Sequence, residues 1–101
     1  MLFLMISKHS PESCPYINEK VKKLTADGMA KADQMSKKYG VKTVGMWVSM
    51  PEHLTVAVYD APSLEALMKV AMEPELMSVL MYSTTEIHPM MTIEESMKSL
   101  K

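Results

Sequence analysis

Three side chains suited to soft-metal or acid–base chemistry stand at the ends of segments: His9, Cys14 and His53. Two imidazoles and a thiolate make a donor set for zinc, copper or iron. Either histidine could instead carry a proton, because imidazole titrates near neutral pH. The spacing matches no established metal signature. The same residues also fit a plainer arrangement, with both histidines bonded to loop carbonyls and Cys14 a small buried thiol. A nucleophilic Cys14 would need His9 as its base and a helix N-terminus to lower the thiol pKa. No hydrolase signature accompanies it, and Pro15 is ordinary in a first helical turn.

Glu86 and His88 form a second pair. Residues two apart on a strand share a face, so this carboxylate can orient the imidazole and raise its basicity. With another histidine the pair would complete a two-histidine, one-carboxylate iron site. It would equally serve as a charged pair on an edge strand. Trp47, Tyr59 and Tyr82 form a third group, whose bulk and polar tips suit either a pocket for a flat apolar ligand or the centre of an interface. Alternation along the strands adds Met5, Ser7 and Gly45 to the face carrying these residues. A sheet face that is neither dry nor fully charged implies a pocket, with Met5, Ser7, Trp47, Tyr59, Tyr82, Glu86 and His88 as ligand-binding residues.

Four strands and two main helices must position these groups. Residues 1–8 are apolar on both faces, as in a central strand. The loop that follows, 9–15, holds two prolines. Apolar residues then recur at helical steps over 16–38 (Ile17, Val21, Leu24, Met29, Ala32, Met35), and Gly40 ends the run. Asp27-Gly28 reads as a bend within it. Residues 41–50 and 53–59 form a hairpin around Pro51-Glu52. Ser63 caps a second helix over 64–72, which stops at Pro74 before a short turn to Met77. Residues 79–88 form the fourth strand, closed by Pro89. Thr92 and Glu95 make a capping box for a short C-terminal helix ending at Leu100.

Composition narrows the function classes. A chain of 101 residues with 48% hydrophobic content and a net charge of −1 reads as one soluble domain, residues 1–101. It has no basic stripe for nucleic acid, no stretch long enough to cross a membrane and no nucleotide-binding motif. The single cysteine fits a reducing compartment, and the chain reads as cytoplasmic. Thirteen methionines against one phenylalanine point to flexible packing of irregular interiors and adaptable surfaces, with thioether copper binding as a minor alternative.

The element order β-α-β-β-α-β gives a ferredoxin-like α+β sandwich, a four-stranded antiparallel sheet in order 4-1-3-2 with both helices on one face. The C-terminal end of the first strand then meets the start of the third, bringing His9 beside His53. On this reading the open face carries Phe3, Met5, Trp47, Tyr59 and Tyr82, more apolar surface than a monomer leaves bare, and a homodimer closes it. In length, element order and strand faces, residues 1–90 resemble the dimeric α+β barrel superfamily, which includes antibiotic-biosynthesis monooxygenases and muconolactone-isomerase-like proteins. The resemblance implies a small, largely apolar ligand and proton-transfer isomerisation or cofactor-independent oxygenation, with His9 or His53 as the acid–base group. The haem-degrading branch is disfavoured. It uses an asparagine in the sheet and a histidine on the second helix, and no strand here has an asparagine, nor does 63–77 contain a histidine. A non-catalytic dimerisation or sensing module is the alternative, and a metal protein built on His9, His53 and Cys14 the third.

Overall fold

The computed structural model describes residues 1–100. The elements run β1 (Leu2–His9), a 3-10 turn (Pro11–Ser13), α1 (Glu19–Lys38), β2 (Lys42–Ser49), β3 (Leu54–Asp60), α2 (Leu64–Ala71), α3 (Pro74–Leu80), β4 (Ser83–Met90) and α4 (Ile93–Ser99). The sheet order is β2-β3-β1-β4, all antiparallel. This is the ferredoxin-like sandwich that the element order implies. Among the described residues no helix is long and apolar enough to cross a membrane.

Local chemistry sets the helix ends. Asn18 caps α1 by accepting from the Val21 amide at 3.1 Å. That places the helix start, Glu19, four residues after Pro15, so Cys14 belongs to the preceding turn and not to a helix N-terminus. At the other end, Gly40 takes φ +71° and the Val41 amide reaches back to the Ser36 carbonyl at 2.8 Å. This is a Schellman closure, which glycine permits without a Cβ clash. Ser63 and Thr92 cap α2 and α4 through the Ala66 and Glu95 amides, each at 3.1 Å. The helix α1 runs unbroken through Gly28. That glycine lets the helix approach α3, where a Cβ would meet Val79 Cγ2 at 2.9 Å and the Glu75 carbonyl oxygen at 3.1 Å.

The core is Phe3, Val41, Ala61, Leu67 and Val70, with Met35, Tyr39, Leu76 and Ile87 packed around it. Phe3, 1% exposed, lies at the start of β1, so the dense packing sits at the end of the sheet away from His9. Tyr39 ties the end of α1 to the α2–α3 corner by donating to Glu73 Oε1 at 2.7 Å. Methionine does not fill this core. Eleven of the thirteen methionines are exposed in the monomer, Met5 and Met35 being the half-buried two. The interior is packed by β-branched residues, leucines and small residues instead, while the methionines coat the helices, β2 and the C-terminal segment.

Two strand features reassign side chains between the sheet's faces. Between Thr43 and Gly45, β2 carries a bulge: Thr43 pairs with Tyr59 and Gly45 with Val58, leaving Val44 unmatched. An extra residue reverses the alternation beyond it. Trp47 therefore pairs with Val56 on the open face and not with the Tyr59 side. Its indole lies over Gly45, whose missing side chain makes the room. In addition, α3 runs on to Leu80, so β4 begins at Ser83, four residues later than the apolar pattern implies.

Candidate functional site

The helix side of the sheet presents Phe3, Met5, Ser7 and His9 in turn along β1. Phe3 enters the core, and the next three line a cavity of about 370 Å³ between the sheet and α1–α3. This volume falls at the small end of ligand pockets. Ala32 and Ser36 on successive turns of α1, with Ala71 on α2, leave room for it because they fill little space. Thr55 and Tyr59 on β3, Thr25 and Met29 on α1, and Leu76 and Val79 on α3 complete much of the wall. Ser7, buried in mid-sheet, shares a hydroxyl hydrogen bond with Thr85 at 3.4 Å. Burial raises the Tyr59 pKa and keeps it a neutral phenol.

His9 stands at the mouth, and His53 is held against it. The rings meet edge to face with centroids 5.2 Å apart. The backbone enforces this, since the His9 amide donates to the His53 carbonyl and the His53 amide to the Met50 carbonyl, both at 3.1 Å. His53 adopts φ +52°, the left-handed region that costs a non-glycine residue energy. Cys14, buried, folds back over the same end. One donor atom from each of His9, Cys14 and His53 lies within 4.8 Å of the other two. Three buried polar atoms here lack a hydrogen-bond partner: His9 Nε2, His53 Nδ1 and Thr25 Oγ1. Native interiors rarely leave such atoms unpaired without a bound group or a functional reason. Burial lowers the His9 pKa, and repulsion from His53 lowers it further. The imidazole is thus uncharged at neutral pH, a base with its lone pair free.

The sheet divides the ligand-binding residues read from the sequence. Met5, Ser7, Tyr59 and Tyr82 line the cavity with His9. Trp47, Glu86, His88 and Gly45 lie on the opposite face, separated from it by the strands. The bulge moves Trp47 and Gly45 there. Tyr82 precedes β4, so alternation counted through it does not apply to Glu86 and His88, which sit beside Ile6 and Leu4. Those two form an exposed pair, His88 Nε2 to Glu86 Oε2 at 3.6 Å, and neither lines the cavity beneath the helices. The open face correspondingly lacks Phe3, Met5, Tyr59 and Tyr82. It carries Leu4, Ile6, Leu54, Val56 and Val58, half-buried, with Trp47 59% exposed at its edge. A shallow groove of about 440 Å³ crosses it between Ile6, Lys8, Leu54, Thr84 and Glu86, reaches His9 and Ser10 at the end of β1, and is wider open than the cavity beneath the helices. Thr25 was not foreseen from the sequence. The signal that points to its surroundings is the small-residue stripe at Gly28, Ala32 and Ser36.

The match to known proteins is consistent with this architecture. A family model described as a domain of unknown function, DUF3303, covers residues 1–101. The chain belongs to this family. No curated protein sequence is significantly similar to it. Among solved structures, the chain is similar to muconolactone isomerase, with a TM-score of 0.62 at 22% identity over 91% of this chain and 90% of that one. It is also similar to an antibiotic biosynthesis monooxygenase, with a TM-score of 0.58 at 13% identity over 91% and 100%. A third likeness is to a protein of Agrobacterium tumefaciens, with a TM-score of 0.51 at 17% identity over 88% and 92%. At these identities the likeness is one of fold, and this DUF3303 domain has the ferredoxin-like fold of the dimeric α+β barrel proteins.

Proposed function

We propose that this DUF3303 protein binds a small, mainly apolar molecule between its sheet and helices, and acts on it by proton transfer at His9. The observation that carries this reading is the apolar cavity ending in an uncharged imidazole whose Nε2 has no partner. A ligand polar group reaching that end would satisfy His9, and Thr25 Oγ1 offers a second anchor in the wall. An unprotonated imidazole beside bound substrate is suited to removing a proton next to a carbonyl, the step of an isomerisation. The same abstraction would form the carbanion that a cofactor-independent oxygenation needs. That the similar folds include an isomerase and a monooxygenase agrees with either chemistry. The working unit is a homodimer whose two open faces pack together, because the Leu4–Ile6–Val56–Val58 surface is too apolar to leave in water. It operates in a reducing compartment, where Cys14 stays a thiol.

The test is a screen of small cyclic carbonyl compounds by amide chemical-shift mapping on the wild-type protein and on Ser7→Phe, which fills the cavity from the central strand. Binders should shift the amides of Ser7, Thr55 and Tyr59 in the wild type and leave Ser7→Phe unmoved. Hits that map to the open face, or that bind both proteins alike, refute the assignment. His9→Gln should retain binding while losing turnover.

A further inference from the structure

We infer that His9, Cys14 and His53 form a binding site for a zinc-type divalent ion at the cavity's end, with a fourth position open toward the ligand. An ion bound at 2.0–2.1 Å by an imidazole nitrogen lies about 3.2 Å from the ring centre. Two such rings at a tetrahedral angle would have centres about 5.2 Å apart. The observed centroid separation is 5.2 Å. Each ring also retains a buried nitrogen with no partner, Nε2 on His9 and Nδ1 on His53, which is what a metal ligand lacks until the ion arrives.

The third donor sits correctly for its chemistry. Cys14 is buried against the same end, and the three donor atoms lie within 4.8 Å of one another. A tetrahedral ion holds such atoms about 3.3–3.6 Å apart, so binding needs an inward adjustment of about 1 Å. No carboxylate joins the cluster. Two nitrogens and a sulfur exclude magnesium and calcium as preferred ions and select zinc or its near neighbours. The left-handed conformation of His53 has a use here, since it turns the imidazole back over β1 at the cost of backbone strain. Three protein ligands are the number that leaves a catalytic ion one exchangeable position. That position belongs on the cavity side of His9, which lines both the cavity and the open-face groove. It would take a water or an oxygen of the bound molecule, a carbonyl or an enolate-like anion.

The site shares His9 with the proton-transfer reading but gives Nε2 a different partner, so the two are tested separately. Untagged, reduced, chelator-stripped protein is titrated with cobalt(II) alone, with no organic ligand present. The expected result is one equivalent bound, with the strong visible absorption of a four-coordinate ion and a thiolate-to-cobalt band in the near ultraviolet, both displaced by zinc. Cys14→Ala should abolish the near-ultraviolet band. It should also weaken binding at least about a hundredfold, the upper end of what losing even an outer partner costs. His53→Asn provides the second variant, because asparagine tolerates the left-handed backbone and so preserves the turn. It should weaken binding similarly while the thiolate band survives at saturating cobalt. Weak six-coordinate absorption, no binding at stoichiometric cobalt, or affinity unchanged in both variants would overturn the site. None of these outcomes bears on whether the cavity takes a small molecule.

Discussion

Replacing Gly28 by alanine sets two opposed effects against each other. Alanine gains about 1 kcal/mol over glycine in a helix interior. Its Cβ, however, would lie 2.9 Å from Val79 Cγ2 and 3.1 Å from the Glu75 carbonyl oxygen. Carbon atoms prefer about 3.5–4.0 Å, so the overlap with Val79 is about 0.6 Å or more. Valine is stiff at χ1 and cannot swing its methyl aside cheaply, and the Glu75 oxygen moves only if α3 moves. Overpacking of this kind costs about 1–3 kcal/mol. Gly28→Ala should therefore lower stability by about 0–2 kcal/mol net, despite its better helix propensity. Val79→Ala removes the offending methyl. In the double variant the alanine at 28 should be less destabilising by about 1 kcal/mol or more, with only the Glu75 oxygen contact left to oppose its propensity gain. The assay is urea unfolding followed by circular dichroism at one fixed protein concentration, since oligomerisation would otherwise shift the midpoint. If the two substitutions are additive, or Gly28→Ala alone stabilises by the full propensity gain, the close α1–α3 approach is not what glycine provides here.

Two further outcomes follow from the open face and the α1–α2 corner. Val56→Asp puts a carboxylate between Ile6 and Trp47, where an apolar interface would bury it unpaired at about 3–5 kcal/mol. Light scattering on a sizing column should show the proposed dimer for the wild type and a monomer for the variant, with the circular dichroism spectrum unchanged, and a variant that still dimerises rules out this face as the interface. Glu73 has its pKa lowered, first by the Tyr39 hydroxyl and then by Lys38. A carboxylate depressed on folding adds stability above its ordinary value of 4.5, and that stability is lost as pH falls through the folded value. Tyr39→Phe should flatten the acid limb of the stability–pH profile, and an unchanged limb would show that the Tyr39–Glu73 bond contributes nothing.

Much of the fold was legible because its signals are local. Ser63 and Thr92 cap helices where their spacing to the next elements says they should, and Gly40 closes α1 in the left-handed conformation. The juxtaposition of His9 with His53 followed from topology alone, since antiparallel pairing in this strand order brings those two ends together. Asp27-Gly28 was less readable. A glycine in a helix signals a bend or a close neighbour equally well, and the neighbour, Val79, lies about fifty residues away in sequence. The methionines were open between interior and surface for a related reason. Thioether side chains suit adaptable surfaces as well as irregular interiors, and side-chain type alone does not say which surface is waiting for a partner.

The site itself was half visible, and the missing half turns on a single unmatched residue. Alternation assigns faces only while the ladder stays in step. With Thr43 on the helix side opposite Tyr59, an unbroken β2 would carry Gly45 and Trp47 into the cavity beside Ser7 and His9. Val44 breaks the count, and the one hint in the run Lys42–Ser49 is Gly45, since a lone glycine in a strand signals a bulge or a close neighbour alike while Val44 itself is a good strand former. The consequence is functional. The one tryptophan leaves the cavity for the open face, spreads over the backbone of Gly45 and presents its indole beside Val56. The cavity is then lined by aliphatic residues, methionine, small residues, tyrosine and His9, without the tryptophan. A one-residue slip in an edge strand thus supplies both the volume on one side of the sheet and the aromatic surface on the other.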